Sequence, residues 1–181
     1  MKNVLLTLVA LLFLSGCVAG IKPASVSTIN LKYMIKLTSP QFEPGDVLPS
    51  EFTCDGRGIS PELHIADVPA EAKSLALMLD DPDALSGTFT HWIVYGLDPG
   101  LTVIKEDDLP AEAVIGINSG GRQSYFPPCP PSGSHRYVFH VYALDKKINF
   151  VSAPDRRQID EAINSTLIDS GELVTVYSRK N

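Results

Sequence analysis

The chain has 181 residues, 44% of them hydrophobic and 20% charged, with 15 Lys+Arg against 21 Asp+Glu and a formal net charge of −6. That length suits one domain with a real core, and charge this sparse excludes a disordered chain. The acidic balance argues against a nucleic-acid partner, which requires a basic face.

Met1-Lys2-Asn3 is followed by an apolar run from Val4 to Leu14. The run is shorter than the roughly 20 residues that span a bilayer, and it has the layout of a secretory signal. It ends in Leu14-Ser15-Gly16-Cys17, which resembles a bacterial lipobox. This implies removal of residues 1–16 as a lipoprotein signal peptide and a diacylglycerol on the Cys17 sulfur; an ordinary signal peptide is the plainer alternative. Residues 17–33 mix small, Pro and Ser residues without a period and read as a lipidated tether. As a coil the tether reaches about 20–25 Å, so the domain at 34–181 is expected close to a membrane surface. Lipoproteins retained in an inner membrane often carry Asp where Val18 stands here. The expected address is therefore the bacterial envelope, at the outer membrane facing the periplasm.

Beyond the tether, short β-type runs alternate with Pro and Gly clusters. Met34–Thr38, Glu62–Ile65, Ser74–Leu79, Thr90–Tyr95, Val114–Ile117, Arg136–Leu144 and Leu173–Tyr177 are the predicted strands. Ser74–Leu79 is nearly all apolar, as for a strand buried on both faces. On the Thr90–Tyr95 strand, alternation puts His91 with Ile93 and Tyr95, and Trp92 with Val94 on the other face. One segment has helical period: Ile159, Ala162, Ile163, Thr166 and Leu167 share a face. Pro154 is expected in its first turn, Ser152 or Ala153 before it, and Gly171 at its C-terminal cap. Many strands with one late helix predict a mainly β, antiparallel sandwich with a small number of short peripheral helices.

Polar residues collect in three places: Asp80-Asp81-Pro82-Asp83, His91-Trp92, and the segment after the proline-rich loop 127–131, Ser132 to Tyr137. Each has a plain structural reading as a turn, a satisfied strand histidine and a solvated strand start. Together, two imidazoles, one guanidinium at Arg136 and a stiff loop form the inventory of an anion site. An aspartate beside them suits a ligand with a positive end.

Ser39-Pro40-x-Phe42, Thr53-Cys54-Asp55-Gly56, Ser60-Pro61, Asp81-Pro82-Asp83-Ala84, His91-Trp92 and Pro128-Cys129-Pro130-Pro131-x-Gly133-x-His135-Arg136-Tyr137 follow one another in this order. This set resembles the phosphatidylethanolamine-binding protein family, in its bacterial Raf-kinase-inhibitor-like branch, across about residues 35–178. The resemblance implies a Greek-key-like β-sandwich with a small pocket for phosphate or similar anions. Carried over by motif, the pocket residues are Asp81, Asp83, His91, Pro131, His135 and Tyr137, with Cys129 lining it through its backbone. Three positions and one segment depart from the family pattern. Pro127 stands where Gly is usual, Leu85 where Pro is usual, Ile65 where Trp is common, and Asn164-Ser165-Thr166 replaces a Gly- and His-containing helix segment. Pro127 removes a flexible residue and a donor at the rim, which is expected to alter ligand preference.

With Cys17 lipidated, Cys54 and Cys129 remain as an even pair in an oxidising compartment, either bridged or packed as two buried thiols. No Gly-x-Ser-x-Gly elbow, Walker loop, Cys-x-x-Cys or His-Glu-x-x-His motif occurs,. No metal and no cofactor are expected. The reading is a membrane-tethered, non-enzymatic binder of a small anionic ligand such as phosphate or phosphorylethanolamine, with no nucleic acid and an unidentified protein partner. An interaction or inhibitor module and a His-based hydrolase are the alternatives.

Overall fold

The computed structural model describes residues 35–179. The signal peptide expected at 1–16, the tether at 17–33 and the lipidation at Cys17 lie outside the described residues. Within 35–179 no helix is long and apolar enough to cross a membrane.

Eight strands and one helix follow in the order β1 (Lys36–Thr38), β2 (Leu63–Ala66), β3 (Ser74–Asp81), β4 (Phe89–Leu97), β5 (Val103–Ile104), β6 (Val114–Ile115), β7 (His135–Leu144), α1 (Arg156–Asn164) and β8 (Leu167–Tyr177). They form two antiparallel sheets, one of three strands ordered β1-β2-β5 and one of five ordered β6-β4-β3-β7-β8. The mainly β fold expected from the sequence is therefore observed. β3 and β7 are neighbours although three strands separate them in the chain, so the long crossover places His135 at the far end of β3.

Side-chain alternation explains the layers. Leu75, Leu77 and Leu79 of β3 face the small sheet and pack with Leu37, Leu63, Ile65, Trp92, Val94 and Phe139 in one core. Ala76 and Met78 face the other way and pack with Ile93, Tyr95, Ile159 and Ile163 beneath α1. β3 is thus buried along its whole length, as its unbroken apolar run predicts. Each fully buried leucine contributes about 1.5–3 kcal/mol.

The helix is shorter than its sequence period suggests. Asp155 is the N-cap, accepting from the Gln158 amide at 2.9 Å while the Gln158 side chain accepts from the Asp155 amide at 3.0 Å. This reciprocal pairing starts the helix at Arg156, so Pro154 lies before the N-cap and not in the first turn,. At the other end the Thr166 hydroxyl donates to the Ala162 carbonyl at 2.8 Å, and Leu167 opens β8. Gly171 is not a cap. It lies inside β8, where an added Cβ would fall 1.8 Å from the Ile35 carbonyl oxygen.

Candidate functional site

The site forms where β3, β4 and β7 end together. Asp81 is the last residue of β3, and its inward face continues the line of Leu75, Leu77 and Leu79. His135 opens β7, and Tyr137 follows two residues on, on the same face,. Strand periodicity therefore delivers Asp81, His135 and Tyr137 to one side of the sheet.

His91 reaches that side by a different route. Leu79 pairs with Trp92 but Asp80 pairs with Thr90, so β4 carries one extra residue at His91. The bulge breaks the alternation expected from the sequence, which put His91 with Ile93 and Tyr95. Thr90 now faces outward, its hydroxyl donating to Asp80 at 2.8 Å, while Arg156 of α1 donates to both. His91 turns inward, with its ring centroid 5.4 Å from that of Tyr137 and 4.8 Å from that of Phe89.

These side chains surround a cavity of about 240 Å³. Its polar groups are Asp81, His91, His135 and Tyr137, and its apolar walls are Ala84, Leu85, Phe89, Phe126, Pro130 and Pro131. Cys129 completes the lining. Asp81 accepts from His135 Nδ1 at 2.7 Å through one oxygen and from the Asp83 amide at 2.9 Å through the other. The His91 Nδ1–H donates to the Phe126 carbonyl at 2.7 Å, which fixes that tautomer and leaves Nε2 as the acceptor of the neutral ring,. Neither Nε2 has a protein partner among the described residues. The Tyr137 hydroxyl is buried and also unpartnered. Burial, helped by the Asp81 charge, pushes that phenol well above its usual range, so it remains a donor. Burial pulls His91 below the ordinary histidine value, against the raising effect of its bond to Phe126.

The loop carrying Phe126 to Pro131 is held at several points. The Phe126 amide donates to the His91 carbonyl at 3.0 Å, the Cys54 amide donates to the Pro128 carbonyl at 3.0 Å, and the Tyr125 hydroxyl donates to the Phe52 carbonyl at 2.8 Å. A disulfide joins Cys54 to Cys129, with Cα atoms 5.4 Å apart. Of the two states left open by the cysteine count, the bridged one is found.

Two expected site residues stand elsewhere. Asp83 is not among the lining residues, because its carboxylate accepts from the Arg136 amide at 2.8 Å, Nε at 2.9 Å and Nη2 at 2.7 Å. These bonds hold the Asp83 carboxyl well below the usual range. Arg136 alternates with His135 and Tyr137 on β7, so its guanidinium faces away from the cavity and adds no cation to it. Pro127 also points away. It packs on Gly58, where an added Cβ would come within 2.9 Å of its Cγ, at a backbone φ of +68°. Leu85, by contrast, borders the cavity and is 92% exposed. Sequence reasoning missed the walls formed by Phe89 and Phe126; their only signal is proximity to His91 and to the proline run.

Comparisons with known proteins agree with this architecture. The profile of the family described as "Phosphatidylethanolamine-binding protein" matches residues 38–178. A UPF0098 protein of Methanothermobacter thermautotrophicus is 39% identical over 150 residues, covering 80% of this chain and 99% of its own. One from Chlamydia trachomatis is 40% identical with the same coverage. The crystal structure of the Chlamydia trachomatis phosphatidylethanolamine-binding protein homologue CT736 superposes with a TM-score of 0.78 at 39% identity, covering 81% of this chain and 99% of that one. That of Escherichia coli YbcL gives 0.77 at 30% identity, covering 82% and 100%. Motif order, sheet topology and these similarities converge: the chain belongs to the phosphatidylethanolamine-binding protein family.

Proposed function

We propose that this protein is a non-catalytic binder that takes a small anionic, phosphate-bearing group, such as phosphate or phosphorylethanolamine, into the cavity between His91, His135 and Tyr137. It does so from the bacterial envelope, tethered through lipid on Cys17 at the outer membrane. The observation that supports the reading is the buried Tyr137 hydroxyl without a partner, in a cavity that His91 and His135 also line. A buried hydroxyl without a partner bears a desolvation cost that a bound acceptor relieves. Tyr137 donates directly, and each imidazole donates from Nε2 when it carries a second proton. His91 is held below its ordinary pKa by burial, so an anion that favours the charged ring binds together with a proton. Affinity therefore rises as pH falls below about 6.5.

Calorimetry with phosphorylethanolamine on the full chain across that pH range tests the reading. Tightening toward acid, with a loss of roughly tenfold or more in His135→Ala, is the expected result. No heat of binding at any pH ends the proposal. Turnover of phosphate or ester substrates that vanishes in His91→Ala would replace the binder with an enzyme. The anchor is tested separately, by labelled palmitate incorporation that Cys17→Ser abolishes.

A further inference from the structure

We propose that Arg156 of α1 and Thr90 of β4 are positioning residues for the cavity. Joined on Asp80 at the back of the sheet, they hold the bulge that turns His91 to the front. The placing of the ring stands whatever the cavity binds; only its effect on affinity rests on the anion reading.

A strand with one residue too many has an alternative register. Without the bulge, Asp80 would oppose His91 instead of Thr90, and alternation would send the imidazole to the α1 side,. What separates the two registers is therefore which side chain lies across from Asp80.

The surroundings of Asp80 favour Thr90. The carboxylate is 4% exposed, where a charge without compensation is costly,. Its Oδ1 accepts from the Thr90 hydroxyl at 2.8 Å and from Arg156 Nη1 at 2.6 Å, and the same Nη1 donates to the Thr90 oxygen at 2.8 Å. Arg156 is steadied in turn by Asp160, which accepts from its Nε at 2.8 and 2.9 Å. From β7, His140 Nε2 stands 3.8 Å from Asp80 Oδ2, with Glu172 of β8 4.0 Å from its Nδ1. An imidazole in place of Thr90 would displace the small hydroxyl on which Asp80 and Arg156 converge. The backbone agrees. The Thr90 amide donates to Ser119 Oγ at 2.8 Å and its carbonyl accepts from the Ser119 amide at 2.9 Å. One residue on, His91 meets Phe126 through both its carbonyl and its ring.

Nitrogen-15 NMR of the histidine rings in the full chain at about pH 8 reads the placing. The parent is expected to show His91 as the neutral Nδ1–H tautomer, which the Phe126 carbonyl imposes,. Thr90→Val keeps the branched shape and alters no charge. It is expected to release the ring from that tautomer and to weaken phosphorylethanolamine binding, by calorimetry, about tenfold. Thr90→Ser, which retains the hydroxyl, is expected to preserve both. Arg156→Gln, at a side chain 35% exposed, is expected to act in the same direction as Thr90→Val and carries the test should that variant not fold. An unchanged tautomer in whichever of the two folds overturns the inference, even beside a lowered melting temperature, since the residues would then be structural alone. A released ring with unaltered affinity overturns it too, because His91 would not serve the ligand. A released ring in variants of a parent that binds no phosphorylethanolamine overturns the anion reading and leaves the placing of His91 standing.

Discussion

Asp81 serves two donors at once, His135 through one oxygen and the amide of Asp83 through the other. Removing the carboxylate strands a buried imidazole N–H. Asp81→Ala is expected to cost about 1–3 kcal/mol, read as a lower urea midpoint, and Asp81→Asn, which still accepts, to recover part of it. His91 makes a pH prediction of definite sign. Its folded value is depressed, so the unfolded chain binds more protons below about 6.5,. Its contribution to stability is complete above that pH and is lost as pH falls through the lowered folded value. NMR titration of the ring is expected to give a midpoint below 6.5 in the free protein, moving upward when phosphorylorganic ligand is added. A free-protein midpoint above 6.5 would contradict the burial argument. The residue types were legible in the sequence, but the facing of His91 was not, because a bulge leaves no mark in a period of two.

Strands were visible wherever alternation or an apolar run was long enough. β3 and β7 emerge nearly whole, while β5, only Val103–Ile104, has too few residues to display any period. Boundaries were decided by contacts the pattern does not contain. The helical period runs on to Leu167, yet the Thr166 hydroxyl and the pairing of Leu167 with Leu144 end the helix early. Gly171 illustrates the same point. A glycine after a helix reads as a cap, whereas here it lets β8 run against the backbone of Ile35. Gly171→Ala therefore displaces the chain entering β1, and a loss of about 3 kcal/mol or more is expected in thermal or urea melts. A loss below about 0.5 kcal/mol, as at an ordinary exposed site, would mean that β1 yields freely.

Across the whole molecule, the Cys54–Cys129 bridge closes 75 residues and joins the loop over the cavity to the segment following Phe52. In the chain-entropy account a closure of that length stabilises by about 4 kcal/mol. The Cys54→Ser/Cys129→Ser double variant is expected to lose that order of stability, and reductant to lower the melting temperature of the parent but not of the variant. The cavity depends on the same tie, since Cys129 lines it and its neighbours hold the His91 ring through Phe126. Weaker binding of phosphorylethanolamine by the double variant, at a temperature where it remains folded, is the accompanying expectation.

The sequence by itself determined the β class, the family and four members of the cavity's polar and disulfide chemistry, Asp81, His135, Tyr137 and Cys129. Those depend on residue type, motif order and strand periodicity, all local along the chain. Only the tertiary structure decided that His91 turns inward, that Arg136 and Asp83 neutralise each other outside the cavity, and that Leu85 and Phe126 line it. These outcomes follow from which strand pairs with which, and where one residue too many enters the ladder. The bulge lies between pairs 13 and 10 residues apart, and the bonds of His91 to Phe126 and of Asp83 to Arg136 join positions 35 and 53 residues apart, none of them contained in a local pattern.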